Sequence, residues 1–179
     1  MRQTMAADLA RYTDGRPTPL VYLRTAAGEP GLVATTLLRV QQAAVARRWL
    51  RTAKVARQLA LAVTGADFVP GCEAGPGLRL SHPHGVVLGG RARLGTNVTL
   101  LQNVTLGERY ADGRPPHDCP RLDDDVTVGA GACVLGGVTV GRGATIGANS
   151  VVLADVPSGG VAVGSPARVL DGTDTGIGS

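Results

Sequence analysis

From Leu88 to Val152 a large aliphatic residue returns at every sixth position, with one interruption. Read in sixes, the chain runs LGGRAR, LGTNVT and LLQNVT, then reaches Leu106-Gly107. After fourteen residues it resumes as LDDDVT, VGAGAC, VLGGVT, VGRGAT, IGANSV and VLADVP. The frame extends back to AGPGLR at Ala74, followed by an eight-residue unit, LSHPHGVV, from Leu80. With Leu, Ile and Val making up about a quarter of the chain, six hits in one frame from Leu122 would arise by chance roughly once in four thousand. The fifth position is small or β-branched throughout: Val98, Val104, Val126, Ala132, Val138, Ala144 and Ser150.

A strand alternates its side chains with a period of two, so a six-residue repeat presents the same face in every unit. If each unit is a short strand plus a corner, three units close a triangular coil of eighteen residues. The first position then points inward and stacks on its counterpart one coil later, as in other repeat folds. The fifth position fills the corner. Gly at the second position (Gly89, Gly95, Gly129, Gly141, Gly147) is expected to relieve a bent backbone. Many of the 26 glycines are thus phased with the aliphatic residues and do not signal disorder. The competing all-β reading, a sandwich with regular turns, does not need a six-residue phase.

Residues 1–66 lack this phase. Gly31 to Leu61 reads as one helix, with Leu32, Leu37, Leu38, Val45, Trp49, Leu50 and Leu59 as its apolar contacts. Its charges are all basic (Arg39, Arg47, Arg48, Arg51, Lys54, Arg57), and no acid occurs between Gly31 and Ala66. One reading is a helix lying on anionic lipid or an acidic partner. The expected one is a solvated face on a helix that packs against the coil or a neighbouring subunit. With five aromatic residues in all, and only Trp49 in the basic run, nucleic-acid reading is not expected.

The net charge of +4 suits anionic ligands only weakly. Three cysteines (Cys72, Cys119, Cys133) fit no metal-ligand spacing and point to reduced thiols and a cytoplasmic location. No run has the length of a membrane span, and the N-terminus lacks the apolar stretch of a signal peptide. The expected organisation is a helical segment at 1–66, a β-coil at 67–172 with a protruding loop at 108–121, and a tail at 173–179.

The three histidines all fall where the repeat breaks: His82 and His84 in the eight-residue unit, His117 in the loop. Interruptions of a regular repeat are expected where function overrides packing. A near-neutral imidazole can take a hydroxyl proton at physiological pH, and Asp67, less than one coil from His82, is a carboxylate able to orient it.

The hexapeptide pattern resembles the hexapeptide-repeat acyltransferases, and the resemblance implies a left-handed parallel β-helix and a homotrimer, with pairing of trimers as a further option. It sharpens to the serine acetyltransferases and their short relatives in ADFVPG (66–71), GPGLRLSHPHGVVLGG (75–90), NVTLLQNVTLG (97–107), PRL (120–122), GAGACVLGGVTVGRGATIGANSVVLADVP (129–157) and VGSPAR (163–168). That family's Leu-x-His segment places the general base on His82, its aspartate partner on Asp67 and a second active-site histidine on His117. His84 has no role there. Acetyl-CoA is the implied co-substrate, with Ala130, Ala148 and Arg168 as its contacts, and no metal is implied. Backbone N–H groups near Gly107 are candidate oxyanion donors.

The implied chemistry is direct acetyl transfer to a small hydroxylated acceptor, serine or serine-like. Two clamp positions depart from the family pattern. Ser81 stands where the family has a substrate-binding aspartate, and Pro116 where it has an arginine, leaving Arg114 as a substitute. Asp8 or Asp14 would replace an aspartate that the family draws from a longer helical domain. A sugar, polysaccharide or natural-product hydroxyl is therefore the alternative acceptor. Two other classes compete: a zinc enzyme built on the three histidines, like the β-helical carbonic anhydrases but with different His spacing, and a non-catalytic scaffold.

Overall fold

The computed structural model describes residues 2–14, 17–109 and 118–170. Four helices precede the coil: α1 (Arg2–Leu9), α2 (Pro19–Gly28), α3 (Pro30–Ala46) and α4 (Leu50–Thr64). The strands that follow form three parallel sheets, the three faces of a triangular prism. Face A stacks Asp67–Phe68, Val87–Leu88, Thr105–Gly107, Cys133–Leu135 and Val151–Val152. Face B stacks Glu73–Ala74, Arg93–Leu94, Arg121–Leu122 and Thr139–Val140. Face C stacks Arg79–Leu80, Thr99–Leu100, Thr127–Val128, Thr145–Ile146 and Val161–Gly164, and ends on the antiparallel strand Ala167–Val169.

The register carries the period directly. Leu88 pairs with Leu106, and Val134 with Val152, one eighteen-residue coil apart in each case. Leu106 pairs with Val134, ten residues more than a coil, which is what the protruding loop inserts. Phe68 pairs with Leu88, two more than a coil, the excess of the eight-residue unit. First positions (Leu88, Leu100, Leu106, Val128, Val134, Ile146) and fifth positions (Val98, Val104, Val126, Ala132, Ala144, Ser150) are fully buried and form the continuous core.

The bends are not where the second-position glycines were expected to make them. Positive φ falls on the fourth position, at Gly77, Asn97, Asn103, Asp125, Gly131 and Asn149, among the residue types that tolerate it. The second-position glycines instead permit close stacking: a Cβ at Gly129 would lie 2.6 Å from the Ala148 nitrogen one coil on, and one at Gly141 would lie 2.5 Å from that of Ser158. In the fourth-position column Asn149 covers Gly131, whose missing Cβ makes room for the amide.

The expected single helix from Gly31 to Leu61 is two. The chain turns at Arg47–Trp49, with Arg48 at φ 60, and α3 and α4 pack together as a hairpin. Nothing in Arg-Arg-Trp announces that turn. The turn also changes the buried face. α4 buries its small residues Ala53, Ala56 and Ala60, while Trp49, Leu50 and Leu59, expected as apolar contacts, are 61%, 61% and 48% exposed. The basic face is only partly solvated. Arg39 is buried and forked onto Asp8 (2.8 and 3.0 Å), and it also donates to the carbonyls of Ala74 and Gly75. The same Asp8 carboxylate accepts from the N–H groups of Gly77 and Leu78, pinning α1 and α3 to the first coil. No helix among the described residues is long and apolar enough to cross a membrane.

Candidate active site

The edge where face C turns into face A carries Ser81, His82, Ala130 and Ala148 of the expected site residues. Ladder bonds climb it from coil to coil: Ser81 N–H to Leu100 C=O, Leu101 to Val128, Gly129 to Ile146, and Gly147 to Ala162. Two residues on, Asn103 N–H donates to His84 C=O, Gly131 to Gln102 and Asn149 to Ala130. Ser81 is therefore level with Leu101, and His84 with Gln102. The two extra residues of the eight-residue unit are thus His82 and Pro83, looped out between two intact rungs. His82 stands exposed on this loop, beside the column that runs from His84 through Gln102 to Ala130 and Ala148 higher up the same edge.

Asp67 opens face A one coil below Val87, its side chain outward because Phe68 points into the core. It thus lies just past the edge that carries His82. The expected carboxylate–imidazole contact is not formed in the single chain. Instead Arg57 of α4 forks onto Asp67, Nε to Oδ1 at 2.5 Å and Nη2 to Oδ2 at 2.8 Å. The Asp67 carboxylate holds the Arg57 guanidinium above its usual pKa range, chiefly through that hydrogen bond. His84 packs against Gly65, the left-handed C-cap of α4, where a Cβ would come within 2.5 Å of the His84 Nδ1.

Ser81 is half-buried, its N–H tied into the ladder. Asp8 is not available to a substrate, since its carboxylate is buried and fully engaged; this corrects its expected replacement role. Arg168 is exposed on the last strand, and its strand partner Val163 packs on Gly147, next to Ala148. Gly107 is not brought to this edge. It ends its face A strand on the far side, where the loop departs toward face B. Arg114 and His117 lie outside the described residues.

Two residues were missed. Arg57 had a signal, because Asp67 is the first acid after a run of bases. Gln102 shares the third repeat position with Ala130 and Ala148, and its Oε1 is buried without a hydrogen-bond partner. Among the described residues no three His, Cys, Asp or Glu side chains gather to hold a metal ion.

The Bacterial transferase hexapeptide (six repeats) family matches residues 120–154. The serine acetyltransferase of Bacillus licheniformis is 39% identical over 157 residues, covering 88% of this chain and 72% of that protein. That of Helicobacter pylori is 42% identical over 141 residues, covering 79% and 81%. Soybean serine acetyltransferase, solved in complex with serine, superposes with a TM-score of 0.84 at 34% identity over 94% of this chain and 69% of its own. The chain belongs to the serine acetyltransferase family. It is an acyltransferase, and its coil is the left-handed parallel β-helix of its serine acetyltransferase neighbours; a coil of the opposite hand would not superpose along its length.

Proposed function

We propose that this acyltransferase moves the acetyl group of acetyl-CoA onto the hydroxyl of L-serine, with His82 as general base. The observation that carries the reading is the looping-out of His82–Pro83, which sets an imidazole on the edge below Ala130 and Ala148. Those two positions carry nothing beyond a Cβ, so an extended pantetheine arm can lie against the backbone with its thioester toward His82. Arg168 at the upper end suits the anionic end of the same molecule.

In the reaction His82 takes the acceptor hydroxyl proton as that oxygen attacks the thioester carbonyl. The negative charge that develops on the carbonyl oxygen needs preorganised donors, for which the N–H groups at Gly107 and beyond are suited. Collapse expels the CoA sulfur, and the protonated His82 returns the proton to it. Asp67 orients the imidazole and stabilises its charged form. His117 hydrogen-bonds the acceptor, and Arg114 pairs with its carboxylate. Because Gly107 sits on the opposite edge of face A from His82, the full set is assembled when face A of one subunit meets another. Above Asp67 the outward residues of that face, Val87, Thr105, Cys133 and Val151, are apolar or small, which favours a homotrimer with composite sites. A cytoplasmic setting accords with three free thiols.

Ser81 favours a second acceptor class. It is neutral where a substrate amine would meet a carboxylate, and buried Asp8 cannot take that part, so a sugar or natural-product hydroxyl fits the same acyl-transfer machinery. Thiol release from acetyl-CoA, measured against L-serine, D-serine, homoserine and sugars with the His82→Ala protein alongside, separates the two. Serine-dependent release is the expected result. Silence with serine, but His82-dependent release with another alcohol, assigns the second class.

A further inference from the structure

We infer that Arg57 is a positioning residue for acetyl transfer, holding the Asp67 carboxylate in the orientation that lets it serve His82. This rests on the proposed roles of His82 and Asp67, and it adds the helical segment to the machinery. The fork from Arg57 fixes the plane of the carboxylate, since its Nε and Nη2 each engage a different oxygen. Each oxygen keeps a further lone pair, open to an imidazole N–H. Without the fork the carboxylate is free to turn on the Cα–Cβ and Cβ–Cγ bonds.

Arg57 is itself well placed to do this. α4 is seated by buried Ala53, Ala56, Ala60 and Thr64, and it is stopped by Gly65 two residues before Asp67. The Gly65 carbonyl accepts from Gly85 N–H, beyond His84. The end of α4, Asp67 and the His82 loop are therefore tied together by backbone as well as by the fork.

Function and stability are separated by what the variant loses. Arg57 and Asp67 side chains are 32% and 24% exposed, and a two-bond fork of that burial can steady the fold as well as the carboxylate, so Tm is read beside kcat. A positioning role predicts a loss in kcat larger than any change in Tm would explain.

The test compares Arg57→Ala, Arg57→Lys, Asp67→Asn, His82→Ala and the Arg57→Ala/Asp67→Asn double variant in the full chain, with L-serine and acetyl-CoA. Arg57→Ala is expected to lower kcat by about 10- to 100-fold, the scale of a misplaced reacting group, with KM for acetyl-CoA and Tm little changed. Arg57→Lys is expected to recover part of the loss, as is guanidinium ion added to Arg57→Ala below denaturing levels. In the Asp67→Asn background Arg57→Ala should cost nothing more, because the two act as one unit. An Arg57→Ala protein with unchanged kcat, or with raised KM alone, overturns the inference while Asp67→Asn and His82→Ala stay impaired. So does a loss additive with Asp67→Asn. Full activity of His82→Ala overturns the underlying reading instead. If Arg57→Ala does not fold, the Lys variant decides: kcat lost with KM kept supports the inference, and kcat kept contradicts it.

Discussion

Face B and the edge between faces C and A are built from the same six-residue unit, yet they offer opposite chemistry. Face B carries a groove of about 700 Å³, lined by Glu73, Arg93, Arg121, Asp123, Asp124 and Arg142 among others. Its charges answer one another: Arg93 with Glu73 at 3.3 Å, Arg142 with Asp124 at 2.7 Å, and Arg121 with Asp123 at 3.9 Å. The Thr96 N–H, then the Arg142 cation, also hold the Asp124 carboxyl below its usual range. The edge instead carries a histidine lifted off the regular coil, with Ala130 and Ala148 higher up. Size of cavity marks where side chains are long; departure from the repeat marks where the chain does something other than stack.

The largest effect that would sharpen this contrast comes from deleting His82 and Pro83 together. The rungs at Ser81 and His84 already match consecutive residues of the next coil, so the coil should close as a regular hexapeptide with Tm retained. Activity should fall by about 10²–10⁴-fold, the general-base contribution. Loss of fold would show that the extra residues are structural.

Next in size is Asp8→Ala, which tests the helical segment. It strands the buried Arg39 cation and two coil N–H groups, and breaking a buried pair from one side costs about 3–5 kcal/mol. Chemical denaturation should show that loss, against less than about 0.5 kcal/mol for Arg142→Ala, whose pair on face B is exposed. A smaller effect is expected from Ala148→Leu. Filling the column should raise KM for acetyl-CoA about tenfold with Tm near that of the parent, while Arg121→Leu on face B leaves KM alone.

Near neutral pH the smallest effect concerns Cys72, whose thiol burial pushes up to about 12. It should alkylate only on unfolding. Its folded pKa lies above the unfolded value, so its contribution is complete below about pH 8.5. Above that, stability should decline by up to about 1.4 kcal/mol per pH unit as the unfolded thiol ionises first.

The coil was legible because its physics is local and periodic: one inward aliphatic and one small corner residue in every six, the same demand at each turn. That logic also marked the eight-residue unit that holds His82 and His84, since a unit of eight among sixes has to shed two residues; which two it sheds is seen only in the ladder. It misjudged the second-position glycines, because coil-to-coil clearance is a contact eighteen residues away and leaves no mark on the local pattern. The helical segment was less legible for the same reason. The Asp8–Arg39 pair joins elements far apart in sequence, and the turn at Arg48 carries neither Gly nor Pro. Face A separates Gly107 from His82 within one chain, a fact of topology that the motif spacing does not express.

The most direct test of the account is thiol release from acetyl-CoA with L-serine by His82→Ala, run beside Arg121→Ala from the large charged groove. The account predicts that His82→Ala loses about 10²–10⁴-fold in kcat while still binding CoA, and that Arg121→Ala stays close to the parent. Undiminished release by His82→Ala, or a comparable loss in Arg121→Ala, would place the chemistry elsewhere on the coil.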